Sequence, residues 1–209
     1  ADENKVNTGH NIEDKELIKN ARKPVGELGH QILDRMNESH ESMAQWGVTH
    51  FEINEDSKIL DIGCGGGRNI ERFAGQISEN GRVVGIDYSE VSVEKSTKLN
   101  QDAIDAGKVN VLQGSVSEMP FYDETFDIVT GFETIYFWPN IKETFKEVSR
   151  IIKPNGQFMI AQGTDGNHPD DEKWLATVEG MKVYTTPQLE KYLLDAGFSE
   201  VESFKKEND

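Results

Sequence analysis

The chain has 209 residues and carries 38 acidic against 22 basic side chains, a formal net charge of −16, so a nucleic-acid backbone or an anionic membrane surface is repelled rather than attracted. A single cysteine, Cys64, excludes an internal disulfide and any multi-thiolate metal site. No apolar run approaches membrane-spanning length and the polar residues 1–10 hold no hydrophobic signal region, so the expectation is one cytoplasmic α/β domain with a cap.

Residues 1–11 are polar and patternless, whereas 12–46 read as helical. Leu28, Ile32, Met36, His40 and Met43 fall on one stripe at steps of four and three, and Gly47 supplies a C-terminal stop. Pro24 divides this region into at least two helices. His40 therefore sits on an apolar face, either as a packed histidine or as a polar group of a substrate pocket. Residues 1–50 are expected to form an N-terminal helical cap on a domain spanning 51–209.

An apolar run, Lys58-Ile59-Leu60-Asp61-Ile62, then breaks into Gly63-Cys64-Gly65-Gly66-Gly67, as a buried strand does when it ends in a tight loop under a helix. Ile70, Phe73, Ala74 and Ile77 give the following segment, 68–78, one apolar face. Strand, glycine loop and helix make a nucleotide-site scaffold, because the backbone can approach a ligand with no Cβ in the way. A dinucleotide fingerprint needs a glycine where Arg68 stands, and no Gly-Lys-Ser/Thr of a phosphate loop follows.

A second strand, 81–87, ends in Asp87, followed by Tyr88. Asp87 lies about twenty positions past Gly67, where an acid can accept hydrogen bonds from both hydroxyls of an adenosine ribose. Ser89 caps a helix expected to run to Asp105 and stop at Gly107. Residues 108–114 form the third strand, followed by Ser115 and Val116. Residues 126–132 form the fourth, ending in Phe132 beside a loop of aromatic and aliphatic residues with one carboxylate, Glu133-Thr134-Ile135-Tyr136-Phe137-Trp138. Of these, Phe137 is expected in the core.

Pro139 is expected to open a helix buried through Ile141, Phe145, Val148 and Ile152, which stops at Lys153-Pro154-Asn155-Gly156 before a fifth strand, 157–161. The polar link 162–185, with a short helix around Trp174, is long enough to act as a lid. Thr185-Thr186-Pro187 caps a helix with Leu189, Tyr192, Leu193 and Ala196 inward, and a strand over 199–204 follows.

Asp61-x-Gly63-x-Gly65-x-Gly67, with Asp87 and the Lys153-Pro154 passage, resembles the class I S-adenosylmethionine-dependent methyltransferases over roughly 57–204. The resemblance implies a doubly wound, mostly parallel sheet of six or seven strands with helices on both faces, Rossmann-like, and S-adenosyl-L-methionine held by Asp61, Gly63, Cys64, Gly65, Gly67, Asp87, Tyr88, Ser115, Val116 and Phe132. Ser115 stands where the family usually has an acid contacting the adenine amino group; a hydroxyl can accept the same bond. The implied reaction is a direct in-line displacement onto a small-molecule acceptor, with no metal, no nucleic acid and no membrane involved. Glu133, Tyr136 and His40 are candidate bases, and Trp46 and Trp138 candidate walls of the acceptor pocket. A nicotinamide-dependent oxidoreductase and a non-catalytic S-adenosylmethionine-binding module stand as alternatives.

Overall fold

Strands β1 (Lys58–Ile62), β2 (Arg82–Asp87), β3 (Val109–Gln113), β4 (Phe126–Phe132) and β5 (Ile152–Ala161) form one sheet in the order β3-β2-β1-β4-β5. The computed structural model describes residues 41–206. Every ladder is parallel. The helices are α1 (Glu41–Gly47), α2 (Arg68–Ala74), α3 (Glu90–Leu99), α4 (Gln101–Asp105), α5 (Ile141–Ile151), α6 (Asp171–Thr177) and α7 (Thr186–Asp195).

The sheet is covered on both faces, as its near-continuous apolar strands require. On one face Leu60, Ile62 and Val129 pack with Phe145 and Val148 of α5 and with Leu189 and Tyr192 of α7. On the other, Ile59, Val83 and Ile128 pack with Ile70 and Phe73 of α2 and Ala44 of α1. Winding outward through β1, β2 and β3 and then returning to β4 on the far side of β1 creates a switch point, and crevices open there beyond the carboxyl ends of the strands.

The sheet has five strands, not the six or seven expected. Residues 199–204 form no strand, and β5 has β4 as its strand neighbour. Side chains fix this stretch instead: Phe204 stacks on His50 at 4.2 Å, Ser203 Oγ donates to Glu190 at 2.7 Å, and Lys205 pairs with Asp165 at 3.3 Å. Pro139 does not open α5; Asn140 precedes the helix with a φ of 43°. β5 begins at Ile152 and its register with β4 shifts, since Phe126 pairs with Ile152 but Ile128 with Gln157.

The helix expected over 89–105 is broken at Asn100, and the break has a use. Asn100 is 3% exposed, and its side-chain amide donates to Gly67 O at 3.1 Å and Ser96 O at 3.0 Å. The Gly67 carbonyl also accepts from the Glu71 N–H at 3.1 Å, so the Asn100 amide adds a second donor that ties the glycine loop to the end of α3. Asn100→Ala should therefore cost about 1–3 kcal/mol, from two lost buried hydrogen bonds at about 0.5–1.5 kcal/mol each, read as a lower urea midpoint. A midpoint equal to that of the unmodified chain would show that the loop does not depend on this clamp.

Candidate active site

The glycine loop turns sharply where β1 ends. Gly63 (φ 70°) and Gly67 (φ 87°) lie in the left-handed region, and both are also too close to neighbours for a side chain. A Cβ at Gly63 would stand 2.1 Å from Thr134 Oγ1, and one at Gly67 2.8 Å from Ser96 Cα. The N–H groups of Gly63 and Cys64 donate to Ile86 O at 2.8 and 3.2 Å, which seats the loop on β2. Ser96 Oγ reaches in from α3 and donates to Gly65 O at 2.5 Å.

Cys64 was expected among the cofactor contacts, and the structure turns its side chain away. It is 7% exposed within the core beneath α2, with Sγ 3.6 Å from Ser96 Oγ, and burial pushes the thiol well above its ordinary range. Its N–H, bonded to Ile86 O, and its thiol both serve the scaffold of the loop.

Asp87 ends β2 beside this loop. Its Oδ2 accepts from Gly65 N–H at 3.0 Å and its Oδ1 from Ser89 N–H at 2.9 Å, with the Tyr88 N–H also directed at the carboxylate. Desolvation raises its pKa, and these amides pull the other way. Asp61, 2% exposed below the loop, accepts from Thr130 Oγ1 at 2.8 Å, and burial pushes it up to about 7.

Tyr88 is half-buried, its carbonyl accepting from Gln113 Nε2 at 3.2 Å. Ser115 is exposed beyond β3, its Oγ accepting from Ser117 N–H at 3.1 Å, while Val116 packs its side chain into the core. The Phe132 ring belongs to the opposite core cluster, 6.4 Å from Phe73, so it meets the protein interior and leaves backbone to the crevice.

Two of the candidate bases meet each other. Glu133, in the left-handed region at φ 51°, accepts from Tyr136 Oη at 2.8 Å and from the Gly163 N–H. Tyr136 sits in the single turn Ile135–Phe137, which places it three residues on from Glu133 and over its carboxylate. Trp138 lies in the core. Its ring is 6% exposed, stacked on Phe158 at 6.1 Å, and its Nε1 donates to Thr134 at 3.4 Å. Phe137 is half-buried, so Trp138 takes the core place expected for it. Trp46 packs edge-on against His50 at 4.7 Å, in line with the His50–Phe204 stack. His40 lies outside the described residues.

Ser96, Asn100, Thr130, Thr134 and Gly163 were not read from the sequence. A signal existed for two of them: Ser89, Ser92, Ser96 and Asn100 recur at helical spacing, a polar stripe on a face that would otherwise be apolar. Thr134 and Gly163 lie in the loop and the link that the sequence points to, and nothing local marks Thr130.

A glycine turn at a switch point, an acid closing the next strand beside it, and backbone open to close approach are what an α/β protein needs to cradle an adenosine. Residues 53–197 match the family described as a methyltransferase domain, and the chain belongs to that family. It is 32% identical over 123 residues to demethylmenaquinone methyltransferase of Bacillus cereus, covering 59% of this chain and 52% of that protein. The chain thus spans about half the length of the curated relatives it matches. Among solved structures, a chain of the complex between the Haloferax volcanii Trm112 methyltransferase activator and a methyltransferase superposes with a TM-score of 0.71 at 21% identity, over 87% of this chain and 76% of that one. Haemonchus contortus phosphoethanolamine N-methyltransferase 2 gives 0.71 at 18%, over 82% and 42%. At these identities the structures establish the fold.

S-adenosyl-L-methionine is the cofactor of this family, and the residues present fit it. Asp87 keeps acceptor capacity on a carboxylate beside the loop, as ribose hydroxyls need, and left-handed glycines leave the loop face free of side chains.

Proposed function

We propose that the chain transfers a methyl group from S-adenosyl-L-methionine to a small-molecule acceptor by direct in-line displacement. The observation that carries this reading is the Asp87 carboxylate bonded to the Gly65 N–H, which joins the ribose acid and the glycine loop into one rigid cradle. When bound, the cofactor supplies an activated sulfonium methyl. The chain's own work is to orient it and exclude water. Asp87 would hold the ribose hydroxyls, Ser115 and the Val116 N–H the adenine edge, and residues 63–67 the amino-acid portion.

A small acceptor is supported by the net charge of −16, which disfavours polyanions, and by the name of the matched Bacillus relative. Two segments lie where they could cover the crevice. The link 162–185 presents its Gly163 N–H to Glu133 and its Lys182 N–H to Tyr136 O at 2.8 Å. From α1, Met43 Cε lies 3.7 Å from where a Gly163 Cβ would stand. A nicotinamide cofactor lacks its fingerprint glycine, since Arg68 holds that position and pairs with Glu71.

Thermal denaturation with added ligands separates these readings. S-adenosylmethionine or S-adenosylhomocysteine at about a hundred times Kd should raise Tm by roughly 5–10 °C, from about 2.7 kcal/mol of linkage on a domain of this size. NAD should leave Tm unchanged. A rise with NAD and none with the adenosyl ligands would reverse the assignment.

A further inference from the structure

Glu133 is a titratable group at the crevice that holding the cofactor does not require. It directly follows β4, and its N–H still donates to Ala161 O at 2.8 Å, so the β4–β5 ladder fixes its Cα. Its backbone is left-handed at φ 51°, an arrangement that costs a non-glycine residue of order 1 kcal/mol and tends to persist where a side chain must be aimed. The carboxylate accepts from Tyr136 Oη at 2.8 Å and from the Gly163 N–H. A Cβ at residue 163 would come within 3.0 Å of Oε1, so glycine there lets the link lie directly against the carboxylate. The neighbouring Thr134 touches Gly63, which places Glu133 on the rim shared by the glycine loop and the link.

The chemistry of the surroundings restricts what can bind. Tyr136 faces Glu133 from its own loop, Asp171 adds negative potential from α6, and α1 contributes the uncharged Met43 beside Gly163. Next to Gly163, Gln162 Oε1 is buried with no partner among the described residues. Acceptor atoms therefore collect at this strand end, and a ligand seated there has to bring donors. Burial pushes Glu133 up to about 7 and Tyr136 upward, so Tyr136 stays a donor while Glu133 can exchange its proton near neutrality.

We infer that Glu133 faces the transferring methyl and takes the proton of the methyl-accepting atom, with Tyr136 as a positioning residue, and that the acceptor is an uncharged molecule whose attacking oxygen or nitrogen bears a proton. The inference rests on the methyl-transfer reading above. In the step, a lone pair of the acceptor atom forms the new bond to the methyl carbon while the sulfur–methyl bond breaks with its electron pair left on sulfur. The acceptor's proton passes to the Glu133 carboxylate. Sulfonium and carboxylate charges both vanish, so the step leaves no new charge in a poorly solvated site.

The test compares binding of S-adenosylmethionine and S-adenosylhomocysteine by calorimetry near pH 7 in buffers of different ionisation enthalpy. The ligands share adenosine and amino acid and differ by the methyl and its positive charge; Asp61 and Asp87 also carry raised pKa values beside the loop, so the share that belongs to Glu133 is read from the Glu133→Gln comparison. A sulfonium beside Glu133 favours the ionised carboxylate, so S-adenosylmethionine should release more protons than S-adenosylhomocysteine. Glu133→Gln should abolish that excess and weaken S-adenosylmethionine about tenfold, the equivalent of one pKa unit, with S-adenosylhomocysteine nearly unaffected. Tyr136→Phe removes a donor from the ionised form and should move the excess release to higher pH, which a purely structural tyrosine would not do; it also carries the test if Glu133→Gln fails to fold. Equal proton release by both ligands, or an unchanged affinity ratio in Glu133→Gln, overturns the role of Glu133. Failure of both ligands to bind overturns the cofactor reading instead.

Discussion

Asp87→Ala should lose S-adenosylhomocysteine affinity by roughly two to four orders of magnitude, since two charge-assisted bonds to the ribose hydroxyls carry about 1.5–3 kcal/mol each. The same carboxylate accepts from Gly65 and Ser89 N–H groups, so the substitution also loosens the loop that meets the amino-acid portion. Stability should change far less than affinity. The lost amide bonds destabilise the fold, but a carboxylate whose pKa is raised by desolvation is itself a burden on the folded state above its unfolded pKa, and removing it offsets much of the loss. The sign also sets the pH dependence. Ribose binding needs the ionised acid, and a raised pKa makes affinity fall on acidification at a higher pH than an ordinary aspartate would. Calorimetry on the folded variant decides it: affinity within threefold of the unmodified chain would take Asp87 out of the cradle.

Legibility in the sequence followed the range over which each feature is determined. β1, β4 and the glycine turn were readable because short apolar runs and left-handed glycines are local matters. Asp87 was readable because its distance along the chain from the loop is set by one helix and one strand. The break at Asn100 was not, because helix propensity continues through it and only the Gly67 carbonyl, thirty-three residues away, explains it. The missing sixth strand has a similar cause. Residues 199–204 have strand composition, but a strand needs a neighbour's backbone, and here the stretch is held by His50, Glu190 and Asp165 side chains. Aromatic residues were the hardest to place. Trp138 and Phe137 are adjacent, and which of them enters the core depends on the Ile135–Phe137 turn and the waiting Phe158 ring.

Gly63→Ala should be strongly damaging for a single-methyl change, and it joins the two halves of the candidate site. At φ 70° alanine pays about 1–2 kcal/mol for the left-handed backbone. Its Cβ would also lie 2.1 Å from Thr134 Oγ1 and 2.8 Å from Thr134 Cβ, an overlap that adds about 1–3 kcal/mol by displacing the residue it strikes. Thr134 cannot move freely. Its Oγ1 accepts from Trp138 Nε1 at 3.4 Å, and it adjoins Glu133, whose carboxylate is tied to Tyr136 and Gly163. The expected result is therefore a lower Tm together with weakened binding of S-adenosylhomocysteine and a perturbed Glu133 titration. Combining Gly63→Ala with Thr134→Gly removes the overlap and leaves the backbone penalty, so the pair should recover the steric share of both stability and affinity, a coupling that a double-mutant cycle measures directly. Strict additivity of the two substitutions would mean that the glycine loop and the Glu133 turn are mechanically independent.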